Sequence, residues 1–172
     1  MTATPRLFLA AALSAPLAAF TLVAAPAQAG IEHQPQSGTP AYEVDVPADW
    51  IVNRDESGNL YLLAPDHSGG VVLNVVAVDT TSLSLDDLAA QSMKVAGAPP
   101  ASKQSADSIG GVGGTAYYSS IPEPDGAVSV KMVLAKLDAG HVASEGVIRN
   151  SAITPAQDDA LNALVAKVHF IR

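Results

Sequence analysis

Cysteine is absent from all 172 residues. That excludes disulfides, a thiolate nucleophile, cysteine-ligated zinc and covalent haem attachment. It also excludes a bacterial lipoprotein anchor, which needs a cysteine at the new N-terminus. Aromatics are scarce, at 5% of the chain, with a single tryptophan. Cations are scarce too: 9 Lys and Arg stand against 17 Asp and Glu, for a net charge of −8. Electrostatic nucleic-acid binding is therefore not expected, because it needs clustered cations to displace phosphate counterions. Beyond the N-terminus no apolar run is long enough to span a membrane. What remains is 48% apolar and 15% charged, the balance of one ordinary domain. Disorder, a disulfide scaffold and a collagen-like or coiled-coil chain are set aside on the same numbers.

The first 29 residues read as a secretory signal. Arg6 supplies the positive start and Leu7 to Ala25 the apolar stretch, broken by Ser14 and Pro16. Ala27-Gln28-Ala29 is a small-x-small site, so the expected cut lies between Ala29 and Gly30. Removing Arg6 with this segment takes the net charge to −9. The expectation is a periplasmic or secreted protein with no stable membrane insertion after cleavage.

Gly30 to Pro40 is polar and carries Pro35, Gly38 and Pro40, which predicts a flexible leader. Residues 41–172 read as one domain. Tyr42, Val44 and Val46 alternate with Glu43 and Asp45, the period of a half-buried strand. Trp50–Val52 and Leu60–Leu63 predict two more, joined by a turn at Asn53–Asn59. Val71 to Val78 is apolar on both faces, so both faces are expected to be covered. Ser84 with Asp87 three residues on signals a capped helix, with Leu85, Leu88, Ser92 and Val95 on one face. Strands follow over about 103–109, 115–121, 127–137 and 141–148, with turns at Gly110–Gly114, Pro122–Gly126 and Asp138–Gly140. Thr154, Pro155 and Gln157 open a last helix, whose stripe is Leu161, Leu164, Val165 and Val168. Hairpin-length connections imply a mainly antiparallel sheet. Doubly apolar strands and two amphipathic helices predict an α+β fold with helices packed on both faces.

The chemistry-bearing residues form no recognised catalytic or metal pattern. His33, His67, His141 and His169 make no H-x-x-x-H pair. Glu32-His33 reads as a leader surface and Asp66-His67 as turn chemistry. There is no G-x-S-x-G elbow and no Ser-x-x-Lys. On a strand, His141, Ala143 and Glu145 face one way and Ser144 the other, so no local triad forms. Gly110–Gly114 is followed by a strand, which favours a tight hairpin over a phosphate cradle. The pairs Asp86-Asp87 and Asp158-Asp159 belong to helix starts. No cofactor and no metal is expected. Trp50, Tyr117 and Tyr118 are the expected contact surface, since aromatic rings anchor interfaces.

The run Tyr42-Glu43-Val44-Asp45-Val46-Pro47-Ala48-Asp49-Trp50 resembles the "strand, Pro, x, x, Trp" opening of PsbP-like α/β/α sandwich proteins. Gly58 to Val78, Ser84 to Ala89, the hairpin at Ile109 to Tyr118 and the closing Val168-His169-Phe170 follow the same order, over roughly 41–172. The superfamily includes a photosystem II extrinsic subunit, a Ran-binding nuclear transport factor and DcrB-like bacterial envelope proteins. This chain is most similar to the small secreted bacterial branch. The resemblance implies partner binding rather than catalysis and carries no functional residue across. The expected function is thus a non-catalytic binding or accessory factor, whose partner is an envelope protein or a small ligand. A hydrolase with a dispersed Ser, His and Asp site, or a carrier of a small apolar ligand, is the alternative.

Overall fold

The computed structural model describes residues 30–38, 40–82, 84–124 and 126–171. The signal expected over 1–29 lies outside them. The elements run β1 (Gly30–Gln34), β2 (Ala41–Val46), β3 (Ile51–Arg54), β4 (Leu60–Leu63), β5 (Gly69–Ala77), α1 (Leu85–Val95), β6 (Lys103–Ile109), β7 (Val112–Glu123), β8 (Gly126–Lys136), β9 (His141–Arg149), α2 (Pro155–Val165) and β10 (His169–Ile171). The strands form two antiparallel sheets. A small one has the order β1-β2-β10 and a large one the order β3-β4-β5-β9-β8-β7-β6. The chain is therefore α+β, mostly antiparallel sheet with two helices.

Local chemistry explains the breaks. Gly110 and Gly111 take φ of 52° and 82°, a left-handed turn that glycine enters without a Cβ clash, and β6 folds straight back into β7. The Ser84 side chain accepts from the Asp87 N–H at the start of α1. Thr154 and Gln157 cap each other reciprocally at the start of α2, with Pro155 in the first turn.

Alternation along β8 divides the interior in two. Val130, Met132 and Leu134 pack with Leu88, Ala89 and Met93 of α1, together with Tyr117 and Val142. Val133 and Ala135 join Tyr42, Val44 and Val46 of β2, Leu60 to Leu73 of the β4–β5 hairpin, and Leu161 and Leu164 of α2. This second cluster fuses the small sheet to the large one. Ladder register places cross-strand partners on a shared face, so one row crosses Leu73, Glu145, Val133, Ala116 and Ser105.

Four expectations change. Gly30–Gln34 is not a flexible leader but strand β1, laid antiparallel along β2, where its backbone satisfies that strand's free edge. The turn after β6 shrinks to Gly110-Gly111, because β7 already begins at Val112. Val95 is among the exposed large apolar residues and Met93 takes its place in the core. The last helix stops at Val165, and residues 169–171 become strand β10, which pairs with β2 through His169, Phe170 and Ile171.

Candidate functional site

Two of the three expected contact aromatics are interior residues. Trp50 is 4% exposed and Tyr117 1%. Trp50 packs in the cluster between the sheets. Tyr117 packs under α1 and donates its hydroxyl to Asp86 Oδ1 at 2.7 Å. Burial and that bond hold the Tyr117 phenol well above its usual range. Both rings are consumed by packing, so neither offers a free face. Tyr118, one residue on, is half-buried on the opposite side of β7.

Around Tyr118 lies a polar strip on the free-edge side of the large sheet. Lys103 and Tyr118 are cross-strand partners, and the ammonium stands 5.4 Å from the ring centroid. Ser105 Oγ and the Tyr118 hydroxyl are 3.5 Å apart. Lys131 pairs with Asp107 at 2.8 Å. Partial burial works to raise the Asp107 carboxyl, but the Lys131 ammonium and the Ser108 N–H outweigh it and hold it below its usual value. This strip is a mixed surface of cations, hydroxyls and one aromatic, suited to a polar contact.

On the same face, further toward the middle of the sheet, sits Glu145, the one acidic residue of the described core, at 1% exposure. Desolvation dominates its titration. The Lys131 charge pulls down and the Asp107 charge pushes up, and the net is a carboxyl raised to about 7. Across the sheet interface, the Tyr42 hydroxyl is fully buried with no hydrogen-bond partner among the described residues. Burial, and then the neighbouring Glu145 charge, raise that phenol well above its ordinary value. Sequence reasoning placed Glu145 with Ala143 on one strand face but drew nothing from it. The available signal was a lone acid between Ala143 and Val147 on one face of the strand.

The outer face of the small sheet carries a second group. His33 and His169 lie directly opposite Glu43 from the two sides. Glu43 meets His169 Nε2 at 2.7 Å and His33 Nε2 at 3.7 Å. On the inner side Arg54 binds β1 to the large sheet. It donates to Glu32 at 2.8 Å, to the His33 carbonyl at 2.7 Å and to the Gln34 side chain.

The remaining motifs serve the backbone. Asp66 accepts from the Ser68 N–H at 2.9 Å and from Gln157 at 2.7 Å, while His67 takes a φ of 57° in the same turn. These bonds hold the exposed Asp66 carboxyl low, at about 2. His141 Nδ1 meets Asp138 at 2.9 Å within the turn before β9. Asp158 pairs with Arg149 across α2 and β9. Among the described residues no group of three His, Asp or Glu side chains is placed to hold a metal ion. No helix among them is long and apolar enough to cross a membrane.

No protein-family model matches the chain, and no curated protein matches it. Solved structures do. Cyanobacterial PsbP (CyanoP) from Synechocystis sp. PCC 6803 is 10% identical with a TM-score of 0.59, over 83% of this chain and 94% of that one. LpqN, described as involved in cell envelope biogenesis of Mycobacterium tuberculosis, is 15% identical with a TM-score of 0.51, over 83% and 92%. A protein from Bacteroides thetaiotaomicron VPI-5482 is 11% identical with a TM-score of 0.51 and covers 76% of this chain. The chain spans only 45% of that Bacteroides protein. At these identities the likeness is one of fold, and the fold is PsbP-like.

Proposed function

We propose, from the PsbP-like fold, that this chain is a periplasmic or secreted, non-catalytic binding or accessory protein of the cell envelope. The two interior clusters support reading the architecture as a sandwich with a helix on each face of the large sheet. The observation that carries the functional reading is the polar strip of Lys103, Ser105, Asp107, Tyr118 and Lys131. It gathers opposite charges, hydroxyls and an aromatic ring on adjacent strands. Such a surface recognises by complementary polar contacts, and it presents no nucleophile held against a base. Tyr118 is therefore the one expected contact aromatic that stays in the proposal. The similarity to LpqN supports an envelope setting.

The test is site-specific photo-cross-linking in the native envelope, with the photoreactive residue placed in turn at Ser105, Lys103 and, as a control, Ala160 on exposed α2. The expected result is one discrete adduct from the strip positions that is absent from the control. Equal labelling at all three positions refutes the strip as the contact surface. Turnover of ester or phosphoester substrates that is lost in His141→Ala refutes the non-catalytic reading.

A further inference from the structure

His169 is bonded through both ring nitrogens to groups that only accept. Nδ1 stands 3.1 Å from the Lys167 carbonyl oxygen, and Nε2 stands 2.7 Å from Glu43 Oε1. A carbonyl and a carboxylate each need an N–H to point at them, and a neutral imidazole has only one. Both bonds exist together only while the ring is an imidazolium. Losing the proton sets a nitrogen lone pair against an oxygen lone pair and breaks one of the two contacts.

This ring sits where little else holds the chain. Strand β10 is three residues long and pairs with β2 alone. Its inner side chain, Phe170, stacks on Tyr42 with centroids 4.5 Å apart. Its start packs against the Gly110 turn, where even a Cβ would stand 3.0 Å from the His169 Cα. The charged groups facing the ring are few. Glu43 and Asp45 come from β2, Lys167 pairs with Asp45 at 3.3 Å, and His33 comes from β1. The turn at Gly110 contributes backbone only. Glu43 thus serves as the shared anion between two histidines.

We propose that β10 is a proton-operated flap, latched onto β2 by the His169 imidazolium through Glu43 and loosened as that ring deprotonates. Its opening lifts Phe170 from Tyr42, whose buried phenol feels the Glu145 charge. The two bonds to His169 raise the ring above its ordinary value. The latch is therefore complete below the usual imidazole range and is lost as pH rises through the raised one.

The test is amide hydrogen exchange of the purified protein at pH 6 and pH 8.5, corrected for intrinsic rates and normalised to β8. For wild type, protection at residues 169–171 is expected to fall about three-fold at the higher pH, the scale of a solvent-exposed charged pair. In His169→Gln that protection should sit at the lower level at both pH values. Glu43→Gln, which keeps the shape and removes the charge, should lose most of the difference and bring the His169 titration midpoint down. Equal protection at both pH values in wild type overturns the proposal. So does an unchanged pH dependence in either variant.

Discussion

Glu145→Gln isolates the energetic cost of a buried charge. The wild-type carboxyl titrates near 7 in the folded protein against 4.5 for an unperturbed glutamate. A carboxyl raised in this way binds protons more tightly folded than unfolded. Its contribution to stability is complete below about 4.5 and is lost as pH rises through 7. At about 1.4 kcal/mol per unit, the loss between pH 4.5 and pH 8 is about 3 kcal/mol. The amide has the same outline and never ionises. At pH 5 the variant should match wild type to within about 1 kcal/mol, the scale of one altered hydrogen bond. At pH 8 it should be more stable by about 3 kcal/mol. Urea unfolding at the two pH values measures this, as a rise in midpoint at unchanged slope. Titrations of His169 and the surface acids are common to both proteins and cancel in the difference. Parallel stability curves for the two proteins between pH 5 and pH 8 would refute the reasoning.

Two further outcomes follow from close packing and capping. Gly114→Ala puts a Cβ 2.3 Å from the Leu134 carbonyl oxygen, whereas a Cβ at Gly113 meets nothing within 4 Å. The first should cost about 2 kcal/mol by overpacking in urea unfolding, and Gly113→Ala should cost less than half of that. Thr154→Ala removes the Oγ1 that accepts from the Gln157 N–H at 3.4 Å, one half of the reciprocal cap of α2. It should cost about 1 kcal/mol, seen as a fall in Tm of about 2–4 °C.

Much of the fold is written in local patterns. The caps at Ser84 and Thr154, the glycine pair at 110–111 and the alternation of Tyr42, Val44 and Val46 act within one turn or one strand. They are legible because the residues that satisfy one another are neighbours in sequence. The larger misreadings are cases where distant pairing overrode local character. Gly30–Gln34 and His169–Ile171 look like a polar leader and a helix end until β2 offers each an edge to join. Trp50 and Tyr117 look like surface anchors until the clusters between the sheets and under α1 take them in.

The polar strip and the latch belong to the same second class. Lys131 meets Asp107, and His169 meets Glu43 across 126 residues of chain, with no spacing to announce either pair. By itself the sequence determined the excluded chemistries, the acidic balance, the strand and helix periods, and the resemblance to PsbP-like proteins. These depend on which residues are present and on contacts a few positions apart. Only the tertiary structure decided which polar groups lose water. Glu145 shifts toward neutrality because two sheets close over it, and His169 is raised because Glu43, far off in the chain, adds a second acceptor to the Lys167 carbonyl. Desolvation and charge pairing are set by distances in space, and the chain order does not encode those distances locally.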